Sequence, residues 1–259
     1  MKQFLLEGAP DRYGRVVVGG ASFRYLVRVR RLAPGDRFPA LLPDGTPVGV
    51  RVRSVEGGVL VGEVEPAAGG GGFTGAAVPS ALPPVVLFQA IPKGAKMDLI
   101  VRQAAEGGIT EVVPFESEFC AAGTAAGRLD RWQRIVREAR QQSGSAVATA
   151  VRAPVTFDRL FERWQEIRSG APTAVGLLFH HLPVCGGSLH RYLGEDPGAV
   201  AVAVGPEGGF SEAEVERFVA AGFRPFTVGN TVLRTETAAL YAQAAVRILL
   251  LERDWWKTR

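Results

Sequence analysis

Hydrophobic residues in the first quarter of the chain come in short runs separated by turn signals. The tripeptides PDG at 43–45 and EGG at 56–58 are turn sequences, because glycine and its polar neighbours favour the backbone angles of tight turns. Apolar runs of this length predict β-strands rather than helices. Five strands are expected: Gln3–Leu6, Arg15–Val18, Arg37–Leu42, Pro47–Val55 and Val59–Val64. The pattern predicts a small N-terminal β-barrel.

From residue 85 onward, apolar runs typical of strands alternate with segments of helical periodicity. The predicted strands are Val85–Ala90, Glu111–Phe115, Thr173–Phe179, Ala199–Val204 and Pro225–Val228. The predicted helices are Lys96–Glu106, Arg128–Ser143, Phe157–Arg168 and two that begin at Ser211 and Thr235. Alternation of this kind indicates an α/β domain with a mostly parallel sheet that helices cover on both faces.

The segment PAAGGGGFTGAAVPSALPP, residues 66–84, separates the two patterns. It is rich in glycine, then in proline, and nearly uncharged, which is typical of a flexible linker. The sequence therefore predicts a first domain over residues 1–66, a linker over 67–84 and a second domain over 85–259.

Positive charge is concentrated near the N-terminus. The 259-residue chain has a formal net charge of +4, whereas residues 1–53 hold ten Lys and Arg against four acids, a net of +6. Arg28, Arg30 and Arg31 form the densest cluster, which suits phosphate contacts but is equally typical of a solvated basic face. The same two interpretations stand for the outward arginines that the helical pattern places at 131, 134 and 137.

The sequence also bears on location. Cys120 and Cys185 lie far apart and form no disulfide framework or CxxC motif. The N-terminus lacks the apolar core of a signal peptide, and the most apolar segment, Ala238–Leu251, is too short to cross a bilayer. We expect a cytosolic protein without a membrane partner, whose apolar segment forms a core or subunit-interface helix.

Two loops carry the candidate chemistry. The stretch VGPEGGFSEAEVE, residues 204–216, joins a valine-rich strand to a helix whose start is marked by the capping box of Ser211 and Glu214. Gly208 and Gly209 would let a ligand touch the backbone, although a tight connector without a ligand has the same composition. The stretch VGNTVLRTETAAL, residues 228–240, follows another strand of the same sheet. Because ligands bind at the carboxyl ends of parallel strands, the two loops predict opposite walls of one pocket.

These two stretches resemble the GPEGG and LGxRxLRxETA motifs of the bacterial 16S ribosomal RNA uridine-N3 methyltransferases, knotted enzymes of the SPOUT class. The resemblance extends to FQAIPKGAKMDLIVRQAAEGGITEVVPFESE at 88–118, RWQRIVREARQQSG at 131–144 and YLVRVRRLAPGDRF at 25–38. It therefore touches nearly the whole chain.

The resemblance implies a trefoil knot in the α/β methyltransferase domain, a PUA-like N-terminal barrel and a homodimer formed through the C-terminal domain. It implies S-adenosylmethionine as cofactor and 16S rRNA or the small ribosomal subunit as partner; no metal is expected. The cofactor residues it implies are Phe179, Gly205, Pro206, Glu207, Gly208, Gly209, Val228, Gly229, Leu233 and Arg234. The residues expected to contact RNA are Arg28, Arg30, Arg31, Lys93, Arg134 and Gln142.

Uridine N3 carries a proton at neutral pH, so a methylase must remove that proton or stabilise the resulting anion. The base must also be unpaired, because N3 lies on its pairing edge. We expect Arg234 to stabilise the anion or orient the base, and Glu236 to fix Arg234 or accept the proton. The two roles are exchangeable at this stage.

The chain departs from the family pattern at Gln103, Gly107, Ser145, Thr231 and Tyr25, and several of the replaced groups are cationic. An alternative function is therefore a divergent paralogue that binds RNA without catalysis or methylates another RNA. Other classes lack their motifs: no lysine follows GPEGG as in a P-loop, and neither a dinucleotide GxGxxG after the first strand nor a GxSxG elbow occurs. The spacing of His180, His181, Cys185 and His190 matches no zinc motif.

Overall fold

Both predicted patterns take shape in the computed structural model, which describes residues 4–66, 82–120, 127–180, 187–194, 196–227, 229 and 231–256. The chain divides into two compact units, one of residues 1–77 and 137–148 and one of 78–136 and 149–259. The first division falls inside the predicted linker, most of which lies outside the described residues. The grouping of 137–148 with the first unit has no signal in the sequence.

The first unit contains a five-stranded sheet. Its strands are β1 (Phe4–Leu5), β2 (Arg15–Val18), β3 (Arg37–Leu41), β4 (Pro47–Glu56) and β5 (Val59–Pro66). They lie in the order β1-β3-β4-β5-β2, and all pairs are antiparallel except β1 with β3. Alternate residues of β4 (Val48, Val50 and Val52) are buried, so one face of the strand packs on the core and the other faces outward.

A helical segment that the pattern did not predict lies in the same unit. Helix α1 (Gly20–Arg24) runs into a π-helical turn at Tyr25–Val29, and Leu26 is its fully buried residue. The segment is short and carries two arginines, so its apolar periodicity is weak. It places the basic cluster Arg28, Arg30 and Arg31 at the end of a helix rather than in a loop or strand.

The second unit is an α/β layer with a seven-stranded sheet. Its strands are β6 (Val85–Ala90), β7 (Glu111–Glu116), β8 (Ala150–Val151), β9 (Val155–Thr156), β10 (Val175–Phe179), β11 (Val200–Val204) and β12 (Phe223–Phe226). The order is β12-β10-β11-β6-β7-β8, with β9 also on β7, and every pair is parallel. The predicted parallel sheet is confirmed, and the central strands β6 and β11 are buried throughout.

Six helices accompany this sheet in the part of the chain that the structure describes. They are α2 (Lys96–Glu106), α3 (Leu129–Ser143), α4 (Phe157–Gly170), α5 (Leu189–Leu193), α6 (Glu212–Ala220) and α7 (Thr235–Trp256). Rings of α4 and α6 pack with strand residues: Phe218 is fully buried and lies 5.1 Å from Phe223 between ring centroids. No helix in the described ranges is long and apolar enough to cross a membrane.

The last strand differs from its prediction. The sequence placed it at Pro225–Val228, whereas β12 is Phe223–Phe226 and Val228 lies outside the described residues. The reason is burial: Phe223 packs on Trp164, with 4.9 Å between ring centroids, and pairs with Gly176 of β10. Pro225 is tolerated because β12 is at the edge of the sheet. Strands β8 and β9 and helix α5 were not predicted because two to five residues carry too little periodicity.

Candidate ligand pocket

A pocket of about 250 Å³ opens at the carboxyl ends of β10 and β11. These strands are parallel neighbours, and their last residues, Phe179 and Val204, stand opposite each other. The loop after Val204 forms one wall and the segment that precedes helix α7 forms another. The geometry therefore brings the two glycine-containing loops together as the sequence predicted.

Backbone groups dominate the wall formed by residues 205–209, and the glycines explain why. A Cβ on Gly208 would lie 2.8 Å from Cβ of Phe119, and one on Gly205 would lie 3.2 Å from the carbonyl carbon of Gly209. Gly209 has φ +73°, a left-handed conformation that favours glycine. The loop is then anchored at Ser211, where the predicted capping box with Glu214 is present. Side chains would fill or distort this wall.

A single hydroxyl ties the two pocket loops together. Thr235 is buried, and its Oγ1 donates to the carbonyl of Gly205 at 2.6 Å and accepts from Nε2 of Gln89 at 3.1 Å. The sequence assigned Thr235 the role of a helix N-cap, but it is the first residue of α7 and its hydroxyl bonds to the other loop. The hydroxyl therefore holds the start of α7 against the first pocket wall.

Gln89 is fully buried in β6, and its Oε1 has no hydrogen-bond partner among the described residues. The sequence analysis did not single it out. Its signal was a polar side chain in the otherwise apolar strand VVLFQA, since buried polar groups are normally placed for a hydrogen bond.

A charged cluster stands behind the first wall. Nζ of Lys96 lies 2.5 Å from Oε1 of Glu207 and 3.9 Å from Oε2 of Glu236, and the backbone N–H of Lys93 donates to the Glu207 carboxylate at 3.2 Å. Burial raises the pKa of Glu207, but the hydrogen bond from Lys96 and those from backbone amides outweigh it and leave the pKa below its ordinary value of 4.5. Glu207 is therefore held as a carboxylate. Lys96 was not predicted, because no local pattern distinguishes it from a surface lysine.

Neither predicted catalytic residue is among those that line the pocket, although both adjoin Thr235, which does. Leu233 and Thr235 line the pocket, whereas the side chain of Arg234 between them is exposed and makes no hydrogen bond or ion pair with another described residue. Glu236 has a buried Oε2 without a hydrogen-bond partner, and its neighbouring cation is Lys96. The expected contact in which Glu236 fixes Arg234 is absent from the ion pairs of the described residues, where the cation paired with Glu236 is Lys96.

The structure places most of the predicted cofactor residues around this pocket. Those that line it are Phe179, Gly205, Pro206, Glu207, Gly208, Gly209, Gly229 and Leu233. Arg234 is beside the lining rather than in it, and Val228 lies outside the described residues. His180, Thr227 and Thr231 also line the pocket and were not assigned to the cofactor from the sequence.

The residues predicted to contact RNA lie in both units. Arg28, Arg31, Lys93, Arg134 and Gln142 are exposed and Arg30 is half-buried. Arg131, by contrast, forms an ion pair with Asp98 at 2.7 Å, so one of the three outward arginines of α3 is neutralised. Within the described ranges, no three His, Cys, Asp or Glu side chains are placed to hold a metal ion; His181 and Cys185 lie outside those ranges.

Comparison with known proteins identifies the family. Residues 79–247 match the family model described as an RNA methyltransferase domain. The chain is 33% identical to the ribosomal RNA small subunit methyltransferase E of Synechocystis, over 91% of this chain and 73% of that protein. It is 31% identical to the protein of that name from Mycobacterium bovis, over 97% and 93% of the two chains.

A solved structure is similar over the whole fold. The ribosomal RNA small subunit methyltransferase E of Neisseria gonorrhoeae, crystallised with S-adenosyl methionine, superposes with a TM-score of 0.78 at 28% identity, over 96% of this chain and 98% of that one. The chain therefore belongs to the RNA methyltransferase family that includes the ribosomal RNA small subunit methyltransferase E proteins.

Proposed function

We propose that this protein transfers a methyl group from S-adenosylmethionine to N3 of a uridine in the 16S rRNA of the small ribosomal subunit. The observation that carries the proposal is the pocket between the GPEGG loop and the start of α7, in a fold that matches a relative crystallised with this cofactor. The protein would act in the cytoplasm, where small subunits are assembled.

The pocket fits the cofactor in chemistry. S-adenosylmethionine combines an apolar, aromatic adenine with hydrogen-bonding groups, and the pocket offers Phe179 and Leu233 beside the backbone groups of Gly205–Gly209. Glycines whose Cβ would strike neighbouring atoms leave that backbone accessible. The bound cofactor supplies an electrophilic methyl group on its sulfonium.

The protein's own residues act on the base. Arg234 is a guanidinium without a described partner at the pocket's edge, so it is free to face the oxygen atoms of a uracil whose N3 has lost its proton. Glu236 has a carboxylate oxygen without a hydrogen-bond partner, which suits a proton acceptor. Because the neighbouring cation of Glu236 is Lys96, we give Glu236 the role of proton acceptor rather than that of positioning Arg234.

The finer fold features belong to the same proposal. The C-terminal domain, residues 85–259, would contain a trefoil knot, and the N-terminal barrel, residues 1–66, would be PUA-like with 67–84 as linker. The knot would involve the two pocket loops, which the hydrogen bond from Thr235 to Gly205 holds in contact. Such threading is rare in proteins and is a strong mark of a fold class.

We expect a homodimer formed through helix α7. Leu240, Tyr241, Ile248 and Leu251 are exposed apolar residues of this helix, and such residues on one helix commonly mark a subunit interface. Replacing both Tyr241 and Ile248 by glutamate should give a monomer in light scattering, because the charges cannot be desolvated at the interface. Val219→Glu on α6, also exposed, is the matched control and should leave the dimer intact. An unchanged mass for the double variant would contradict this interface.

The direct test of the function is a methylation assay on unmodified 16S rRNA and small subunits, with the product mapped by mass spectrometry. We expect one N3-methylated uridine. A different modified atom or RNA would overturn the proposal in part, and no transfer with any of these substrates would overturn it.

A second function, RNA binding without catalysis, rests on Thr231, which lines the pocket where the family pattern has an arginine. Calorimetry with S-adenosylhomocysteine distinguishes the two functions. Micromolar binding of S-adenosylhomocysteine supports the methyltransferase, whereas no binding supports a protein that binds RNA without catalysis.

A substitution of Arg31 tests whether the basic cluster binds RNA, and it distinguishes an effect on binding from an effect on stability. Arg31 has φ +56°, the one positive value of a non-glycine residue in the described ranges, at the end of the π-helical turn. Arg31→Gly should leave the free energy of unfolding unchanged or raise it by up to about 1 kcal/mol, because glycine adopts this conformation without strain. Binding to 16S rRNA should weaken and its salt dependence should become shallower, since one phosphate contact is lost. Unchanged affinity and salt slope would remove Arg31 from the RNA surface.

A further inference from the structure

The arginines of the first unit include some that form ion pairs and some that do not, a difference that a count of charges along the sequence does not show. Arg37 and Arg51 pair with Glu65, at 3.1 and 3.4 Å, and Arg53 pairs with Glu63. The antiparallel registers of β3 with β4 and of β4 with β5 bring these charges together on the outer face of the sheet. These three arginines are neutralised by strand pairing and are poor candidates for phosphate contacts.

Arg12 and Arg15 belong to the other group. Neither guanidinium has a hydrogen bond or ion pair within the described ranges, and both lie over the ring of Tyr13, 4.7 and 5.8 Å from its centroid. Tyr13 is 62% exposed and takes no part in the core of this unit. An exposed aromatic ring flanked by two unneutralised cations has no evident role in folding.

The backbone under Tyr13 is firmly held. Oδ1 of Asp11 accepts from the N–H groups of both Tyr13 and Arg15 at 2.8 Å, and Gly14, with φ +74°, donates to the Asp11 carbonyl at 3.0 Å. The N–H of Val64 in β5 donates to the carbonyl of Gly14 at 2.8 Å and ties this turn to the sheet. The backbone that carries the ring is therefore held in place, which reduces the entropy lost when a partner binds.

We propose that Tyr13, Arg12 and Arg15 form a stacking site for an unpaired base of single-stranded RNA, with the two guanidiniums contacting the flanking phosphates. Every base has a π-face that stacks on an exposed aromatic ring, and arginine binds phosphate in a fork geometry. The neighbouring outward residue of β2, Val17, is 68% exposed and extends the surface for the sugar or base. Two cations on one ring favour RNA over an apolar protein segment. The identity of the RNA rests on the proposed function.

The test measures binding of the full chain to a 16S rRNA transcript. Tyr13→Ala should weaken affinity about tenfold, whereas Tyr13→Phe should stay within about twofold, because stacking uses the ring and not the hydroxyl. The double variant Arg12→Gln, Arg15→Gln should lower the slope of log affinity against log salt by about 1.4, the value for two single-strand phosphates. The double variant Arg159→Gln, Arg168→Gln, at two exposed arginines of helix α4 in the second unit, removes the same charge and should not change the slope.

Ultraviolet cross-linking detects direct contact between Tyr13 and RNA, which a purely structural role of Tyr13 would not produce. Tyr13 should cross-link to an RNA base in the wild-type complex, and mass spectrometry should locate the adduct. Binding of S-adenosylhomocysteine should be the same in all variants, because the cofactor pocket lies in the other unit.

The outcomes separate this site from the proposed function. Suppose that the wild type methylates rRNA, while Tyr13→Ala binds RNA as tightly as the wild type and gives the same cross-linked peptides. The stacking site is then overturned and the function stands. If the wild type binds rRNA but transfers no methyl group, the function falls, and the Tyr13 variants still decide the stacking site. Capture of a protein partner by wild type and not by Tyr13→Ala, with RNA affinity unchanged, would also overturn it.

Discussion

Replacing Arg234 by alanine should lower kcat for methyl transfer to rRNA at least about 100-fold, while the affinity for S-adenosylhomocysteine changes little. The magnitude is that of a positioned charge aimed at a developing anion in a site that excludes water. Cofactor affinity should change little because Arg234 is beside the pocket lining and its side chain is exposed. Single-turnover methylation and calorimetry measure the two quantities separately.

Glu236→Gln should give a loss of about the same size in kcat, since the amide cannot accept the N3 proton. Arg168→Ala, an exposed arginine of helix α4, is the matched control and should retain full activity. If both Arg234→Ala and Glu236→Gln turned over at the wild-type rate, these two residues would have no part in the chemistry.

Local signals in the sequence were sufficient to predict the elements that form the pocket. The valine-rich run before Gly205 predicted a strand buried on both faces, because a parallel central strand has no polar face. The Ser211–Glu214 capping box marked the start of α6, since both of its hydrogen bonds are local. The meeting of the two loops followed from the rule that ligands bind at the carboxyl ends of parallel strands.

The contacts that lock the pocket could not be predicted in the same way. Gln89 and Thr235 are 146 residues apart, and Lys96 and Glu207 are 111 apart. No periodicity or spacing rule joins such positions, so Thr235 was interpreted as a helix cap and Lys96 was not interpreted at all. Sheet register decides such pairs, as it does for Arg51 and Glu65 in the first unit, where counting charges along the chain overestimated the free positive charge.

Lys96 consequently has a larger role than its place in the sequence indicates. It is the cation that lies between Glu207, in the pocket wall, and Glu236, the proposed proton acceptor. Both carboxylates are mostly shielded from solvent, with side-chain exposures of 28% and 17%. A cation beside a shielded carboxylate favours its charged form, as the hydrogen bond from Lys96 does for Glu207.

Lys96→Met should therefore lower kcat/KM for methylation about 100-fold, a loss typical of displacing a catalytic group by about 1 Å. The pH dependence is expected to change with it. In the wild type the pKa of Glu207 lies below its ordinary value, so its carboxylate persists until the pH falls below 4.5. Without Lys96, the effect of burial is offset only by backbone amides, the pKa rises, and cofactor binding and activity should fall off at a higher pH than in the wild type.

Lys96→Arg is the matched variant, because it keeps a positive charge at the same place and should restore most of the activity and the wild-type acid limb. Affinity for S-adenosylhomocysteine measured from pH 4 to 8 reports on the pocket wall independently of the methyl-transfer step. The Lys96→Met protein should remain folded, since Lys96 is at the start of α2 with its side chain one-third exposed. Were Lys96→Met to show the wild-type pH profile and kcat/KM, the cation would be an incidental surface charge, and Glu236 would need no partner to do its work.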